Sequence, residues 1–121
     1  MERIKTGIIG CGKGAHLHAQ ALKSLPESLF TAVWDINRAK AKAFAEQYGV
    51  KACSSIEGMV SDASVEAVMI CVPHPAHAET ANKAIQAGMH VLVEKPLDSS
   101  LEDCDAMIEL AKNKGVVLGT I

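Results

Sequence analysis

Glycines near the N-terminus are the first residues whose types and spacing suggest chemistry. Gly10 and Gly12, with Ala15 three positions further on, fit the G-x-G-x-x-G/A pattern of dinucleotide-binding turns. In such a turn the first glycine allows a sharp bend after a strand, and the second has no side chain to keep a pyrophosphate from the backbone. The N–H groups and positive dipole end of the following helix would face the phosphates. We therefore predict cofactor contacts from the whole turn: Gly10, Cys11, Gly12, Lys13, Gly14 and Ala15.

Asp35 is the second candidate, 20 residues after Ala15 and at the end of an apolar run. A Rossmann fold places there the acid that accepts hydrogen bonds from the hydroxyls of the adenosine ribose. A 2′-phosphate would bring like charges within about 4 Å, at a cost of up to about 4 kcal/mol for an effective dielectric constant near 20, so Asp35 favours NAD. Arg38 leaves NADP open, because its guanidinium could receive that phosphate. The alternative is that Asp35 caps the next helix while Arg38 lies in solvent.

The third candidate is Glu94-Lys95-Pro96, which directly follows a short apolar run. Pro96 disfavours a helical conformation for Lys95 and so presents the lysine at the end of a predicted strand. In open α/β sheets, ligands bind beyond the carboxyl ends of the strands. For Lys95, as for Lys13, a solvated side chain without a role is the alternative.

Strands and helices alternate along the chain and must position these residues. We predict strands over 4–9, 29–34, 50–53, 67–72 and 91–93, with a sixth that starts over 116–118. We predict helices over 14–25, 38–48, 56–60, 75–87 and 100–114. Helical spacing relates Ala15, Ala19 and Leu22 in the first helix, and Leu101, Cys104, Ile108 and Ala111 in the last. This alternation predicts an α/β fold, a doubly wound parallel sheet of about six strands in the order 3-2-1-4-5-6.

Composition narrows the function classes. The 121 residues suit one domain, 1–121, and are 49% hydrophobic with a formal net charge of -2. Without a basic excess we expect neither a nucleic-acid partner nor binding to an anionic membrane. No apolar run is long enough to span a bilayer, and the first residues lack the apolar segment of a signal peptide, so we expect a cytoplasmic protein.

The cysteines and histidines do not suggest a metal site. The four cysteines are scattered without a C-x-x-C pair, which favours free thiols. His74 and His77 have a spacing that imitates metal ligands, but no thiolate pair or group of carboxylates nearby completes a site, and we predict no metal. His90 precedes a buried strand and is expected to be structural.

Four stretches together resemble the N-terminal domain of the glucose-fructose oxidoreductase, inositol dehydrogenase and rhizopine-catabolism (Gfo/Idh/MocA) family. They are Gly10-Cys11-Gly12 with His18 downstream, Asp35 followed by Asn37 and Arg38, Val72-Pro73-His74-Pro75-Ala76-His77, and Ala87-Gly88-Met89-His90-Val91-Leu92-Val93-Glu94-Lys95-Pro96-Leu97. The last is the most specific, because an A-G-x-H-V-x-x-E-K-P string at this position is close to a family signature. The resemblance covers nearly the whole chain.

The resemblance implies roles for several of these residues. Lys95 would lie beside the nicotinamide and the substrate hydroxyl as the catalytic lysine, and Glu94 and Pro96 would shape the same corner. Pro73 and His77 would line the cofactor cleft, where the family shows a T-P-x-x-x-H pattern. Here Val72 replaces the threonine and His74 stands where asparagine is common, which puts one hydrogen bond to the cofactor in doubt unless His74 replaces it.

The resemblance also implies a function. We expect the NAD(P)-binding part of an oxidoreductase that transfers a hydride between a nicotinamide cofactor and a sugar or polyol. Family enzymes continue into a second domain that builds the substrate pocket, so we expect a truncated chain that is inactive alone. The alternative is a non-catalytic module that senses a dinucleotide or binds a partner through the same cleft, although a sensor has no need of Lys95. Pairing of the sixth strand with another copy leaves a homo-oligomer open.

Overall fold

The computed structural model of the protein describes residues 3–72, 77–93 and 101–120. Six parallel strands form one sheet in the order β3-β2-β1-β4-β5-β6, which confirms the predicted architecture. The strands are β1 (Ile4–Ile9), β2 (Ser28–Trp34), β3 (Lys51–Ala52), β4 (Ala67–Ile70), β5 (His90–Val93) and β6 (Leu118–Thr120). The helices are α1 (Ala15–Ser24), α2 (Arg38–Tyr48), α3 (Ile56–Ser61), α4 (His77–Gln86) and α5 (Leu101–Lys114).

Both faces of the sheet are covered, as its apolar strands require. Successive strand residues point to opposite faces, so Ile8 packs under α1 and α2 while Ile9 packs under α3, α4 and α5. Both isoleucines are fully buried. Strands β1 to β3 therefore form one half of the sheet, and strands β4 to β6 form the other half.

The buried face of α5 differs from the predicted one. Met107 and Ala111, four residues apart, lie in the core, whereas Ile108 is 54% exposed. One helical step rotates a side chain by about 100°, which is enough to carry Ile108 off the face that Met107 and Ala111 share. In α1 the prediction is confirmed: Ala15 and Ala19 are buried, and Leu22 packs against the same cluster.

The strand β6 begins two residues later than predicted. Gly115 has a left-handed backbone, and the Val116 N–H donates to the Ala111 carbonyl, so Val116 still belongs to the C-terminal cap of α5. The Val117 N–H then donates to Nδ1 of His90 at 2.9 Å, and the Val117 carbonyl accepts from the N–H of Val91. The His90 side chain therefore joins the end of α5 to the edge of the sheet, in the structural role expected of it.

The bond from Val117 to His90 yields a test of how the sheet edge is held. In His90→Ala the Val117 N–H loses its acceptor, and the free energy of unfolding should fall by about 1 kcal/mol. His90→Asn is the matched control, since an amide oxygen can accept from nearly the same position as Nδ1. Denaturant unfolding measures both variants, and equal losses in the two would show that the acceptor is not what stabilises this edge.

Candidate functional site

The glycine turn lies between the two strands that flank β1. Gly10 has φ of 99°, its N–H donates to the Trp34 carbonyl at 2.8 Å, and a Cβ on it would lie 2.7 Å from the Cys71 carbonyl carbon. Only glycine combines that backbone with that close approach. The turn thus occupies the point where the connection after β1 leaves on one face and the connection after β4 on the other, the usual ligand site of open α/β sheets.

Asp35 ties this turn to the end of β2. One carboxylate oxygen, Oδ2, accepts the N–H of Cys11 at 2.8 Å, and the other, Oδ1, accepts the N–H of Asn37 at 2.7 Å. The N-cap of α2 is Asn37, whose side-chain oxygen accepts the N–H of Lys40 at 3.1 Å. The alternative in which Asp35 caps α2 is therefore wrong.

Cys11 takes part in the site through its backbone N–H rather than through its thiol. The side chain is 7% exposed, and its Sγ lies 3.8 Å from the Trp34 carbonyl oxygen. Burial, and then the neighbouring charge of Asp35, raise the pKa of the Cys11 thiol to about 12. The thiol therefore stays protonated at neutral pH and adds no negative charge beside the turn.

The helix α1 begins directly after the turn. Ala15 is buried against the sheet, and its small side chain lets the helix pack closely there. Gly14 is the N-cap and has no side chain that could accept a hydrogen bond from the first turn. The N–H groups of Ala15 and His16 already donate to the carbonyls of Gly12 and Lys13, at 3.1 and 3.4 Å, so this end of α1 offers an anion chiefly the positive end of the helix dipole.

A cleft of about 590 Å³ opens over the turn. Seven of the predicted cofactor residues line it: Gly10, Cys11, Gly12, Lys13, Gly14, Asp35 and Val72. Ala15 lies beneath the turn in the core. Arg38 faces a separate depression that it shares with Lys42 and Cys53, and so the role predicted for Arg38 stays a prediction.

Several residues of the cleft were missed by the sequence analysis. They are Trp34, Ile36, Asn37, Lys40, Ile56, Cys71, Glu79, Thr80 and Lys83. The one signal in the sequence was Ile36, an isoleucine that directly follows a charged residue after a predicted strand. In the structure its side chain is 87% exposed. The residues of α3 and α4 reach the cleft only through the sheet order, which no local pattern encodes.

Other predicted residues lie outside the described part of the chain. These are Pro73, His74, Glu94, Lys95 and Pro96. His77 begins α4, and the structure describes its backbone alone. Within the described ranges, no three His, Cys, Asp or Glu side chains come together where they could hold a metal ion. Among the same residues, no helix combines the length and apolar character needed to cross a bilayer.

The two central glycines of the turn should respond differently to alanine. Gly10→Ala forces a Cβ against the backbone after β4 at positive φ, and should lower the free energy of unfolding by about 2–4 kcal/mol. Gly12→Ala meets open space and should change it by less than about 1 kcal/mol, yet weaken dinucleotide binding at least about tenfold by blocking the pyrophosphate.

Denaturant unfolding and calorimetric titration with NAD separate these two effects. If Gly12→Ala binds NAD as tightly as the parent protein, the phosphates do not approach the backbone at this position.

Known proteins resemble the chain over nearly its whole length. The myo-inositol 2-dehydrogenase of Thermotoga maritima is 33% identical over 118 residues, which make up 97% of this chain and 35% of that protein. GenD2 from gentamicin A biosynthesis, solved in complex with NAD, superposes with a TM-score of 0.92 at 28% identity, over 99% of this chain and 34% of that one.

A third relative was solved with the other dinucleotide. KijD10, a 3-ketoreductase from Actinomadura kijaniata in complex with NADP and TDP-benzene, gives a TM-score of 0.90 at 30% identity, over 98% of this chain and 37% of that one. The chain thus spans about a third of the length of these relatives. The profile described as "Oxidoreductase family, NAD-binding Rossmann fold" matches residues 4–121. By fold, by the glycine turn joined to Asp35, and by this match, the chain belongs to the Gfo/Idh/MocA oxidoreductase family and carries its NAD-binding Rossmann fold.

Proposed function

We propose that the cleft over the glycine turn holds the dinucleotide cofactor of an oxidoreductase. The observation that carries this proposal is the bond between Asp35 Oδ2 and the Cys11 N–H, because it joins the ribose-binding acid to the phosphate-binding turn within one cleft. An ionised carboxylate offers about four acceptor sites, and the two backbone donors use two of them. Asp35 therefore keeps the capacity to accept the 2′ and 3′ hydroxyls of a ribose.

The charges and surfaces around the cleft suit the rest of such a ligand. The pyrophosphate would lie against Gly12 and the first turn of α1, with Lys13 at the rim. Ile36 and Ile56 add apolar atoms to the lining of the cleft, and Thr80 and Lys83 of α4 add polar ones. A flat purine ring fits a slot with apolar walls and a few polar groups at its edges.

The reaction proposed for the whole protein rests on its family. When bound, a nicotinamide accepts or donates the hydride. Lys95 would hold the substrate hydroxyl and take up its proton, so that a carbinol becomes a carbonyl as its hydride leaves. Glu94 and Pro96 would shape that corner, and Val72, Pro73, His74 and His77 would line the cofactor side. A sugar or polyol is the proposed substrate, in keeping with the inositol dehydrogenase and 3-ketoreductase among the relatives.

The cellular compartment and the partners of the protein are proposed from its cysteines and its net charge. The four cysteines are free thiols, which persist in a reducing compartment, and this supports a cytoplasmic protein. The net charge of -2 favours small-molecule ligands over nucleic acid, and self-association along β6 stays open. The second candidate is a non-catalytic module that senses a dinucleotide through the same cleft, since the described residues that line the cleft account for cofactor binding alone.

Calorimetric titration with NAD tests the cofactor proposal. We expect a Kd in the micromolar to millimolar range, and Asp35→Asn should weaken it about tenfold because the ribose hydroxyls lose charged acceptors. Asp62→Asn is the matched control, since Asp62 is exposed and does not line the cleft. No binding of either NAD or NADP would contradict the proposal, and equal effects of the two substitutions would contradict the role of Asp35.

Turnover separates an enzyme from a sensor. In the full-length protein with a sugar or polyol that it oxidises, Lys95→Ala should lower kcat by at least about a hundredfold while NAD binding changes little. Lys112→Ala, in the last turn of α5, serves as the control. Unchanged turnover in Lys95→Ala would contradict the catalytic role, and binding without turnover on any polyol would favour the sensing module.

A further inference from the structure

Charge is unevenly divided between the helices on the two faces of the sheet. On one face, α1 and α2 together contain four Lys and Arg residues and a single Glu. On the other face, α3, α4 and α5 together contain six Asp and Glu residues and three Lys. One helix layer is therefore basic and the opposite layer is acidic, although the formal net charge of the chain is only -2.

A depression of about 380 Å³ lies on the basic layer, between the first half of α2 and the end of β3. Its lining consists of three alanines, two cations and a thiol, namely Ala39, Ala41, Ala52, Arg38, Lys42 and Cys53. Arg38 and Lys42 are exposed and lie one helical turn apart, so two cationic groups stand beside a small apolar space. The one salt bridge between described side chains joins Lys83 to Glu79, which leaves both cations without a carboxylate partner. We call this space the alanine depression.

The exposed face of α5 has the complementary pattern. Asp105 and Glu109 are exposed and also lie one turn apart, and Ile108 lies between them on the same face with 54% of its surface accessible. Lys112, one turn beyond Ile108, is the other charge on this face, and it forms no salt bridge with a described acid. We call Asp105, Ile108 and Glu109 the acidic face of α5.

From this match we propose that a second copy of the chain docks the acidic face of its α5 on the alanine depression. Ile108 enters the space between the small alanine side chains, and its burial adds to the attraction. Asp105 and Glu109 pair with the two cations beside the depression. Each pair of like charges is separated by four residues, or about 6 Å of helix, so both ion pairs can form at the same time.

The contact is head-to-tail, because α2 and α5 cover opposite faces of the sheet. Each pair of copies keeps one free depression and one free acidic face, so association continues into short chains of copies. Ion pairs at a surface are weak, and we expect a Kd of about 0.1–1 mM that depends on salt. None of the residues in the contact lines the cofactor cleft, so the inference is independent of the proposed function.

Sedimentation velocity of the purified protein, from about 0.02 to about 2 mM, tests for this association. In 50 mM salt the weight-average mass should rise past twice the monomer mass at the highest concentrations. In 500 mM salt the Debye length falls from about 14 to about 4 Å, and association should weaken at least about tenfold. A protein that stays monomeric at about 2 mM in the low-salt buffer would overturn the inference.

Charge reversal identifies the two surfaces. The double variants Arg38→Glu with Lys42→Glu, and Asp105→Lys with Glu109→Lys, should each associate at least about tenfold more weakly, because each brings like charges together. An equimolar mixture of the two variants should associate at least as tightly as the parent protein, since each face again meets its opposite. Circular dichroism checks that both variants are folded, and a mixture of folded variants that stays monomeric would overturn the pairing.

Matched substitutions elsewhere separate this contact from general effects of charge and apolar surface. Glu57→Lys with Asp62→Lys reverses two exposed acids of the same helix layer and should weaken association less than about threefold. Ile108→Ser should weaken it about fivefold, whereas Val117→Ser, at a more exposed apolar residue beside β6, should leave it unchanged. Association that survives both charge reversals and is lost in Val117→Ser would overturn the inference in favour of pairing along β6.

Discussion

The carboxylate of Asp35 is the constraint on which the functional half of this structure depends. It accepts N–H groups from the turn after β1 and from the residue that caps α2, so one side chain sets the relative position of two connections. Charged hydrogen bonds of this kind are stronger than neutral ones, and both bonds here run to rigid backbone. The acid that we propose to hold the ribose therefore also shapes the turn that would hold the phosphates.

The topology of the sheet explains why the turns after β1 and β2 also meet the backbone after β4. Ile8 and Ile9 face opposite sides, and each side has its own hydrophobic cluster and its own helices. The chain leaves β1 towards β2 on one face and returns at β4 on the other, so a crevice opens at the carboxyl end of β1. Gly10 lies in that crevice where the backbone after β4 leaves no room for a Cβ.

Charge around the crevice is divided between its two sides. Asp35 lies in the cleft together with Lys13 and Lys40, and the pair of Lys83 and Glu79, 3.6 Å apart, lies on the α4 wall. Because that pair is exposed and mutually compensated, it adds little field.

The sequence by itself determined the glycine turn and the place of Asp35, because each follows from a local pattern. The alternation of strands and helices along the whole chain, with the right-handedness of crossovers, also predicted the strand order. A period of two or of 3.6 residues, a glycine where no side chain fits and an acid after a strand are all legible within a few positions. It misjudged the face of α5, since Ile108 and Met107 are both apolar and only packing in the cluster shared with α4 selects Met107.

Only the tertiary structure decided which side chains share the crevice. Lys40 rather than Arg38 faces the turn, Asn37 rather than Asp35 caps α2, and Ile36, Ile56 and Thr80 join the cleft from three separate connections. Local sequence cannot reveal such choices, because they depend on the rotation of each helix about its axis and on the sheet order that brings distant segments together. Two steps along the helix, about 200°, separate Lys40 in the cleft from Arg38 and Lys42 outside it.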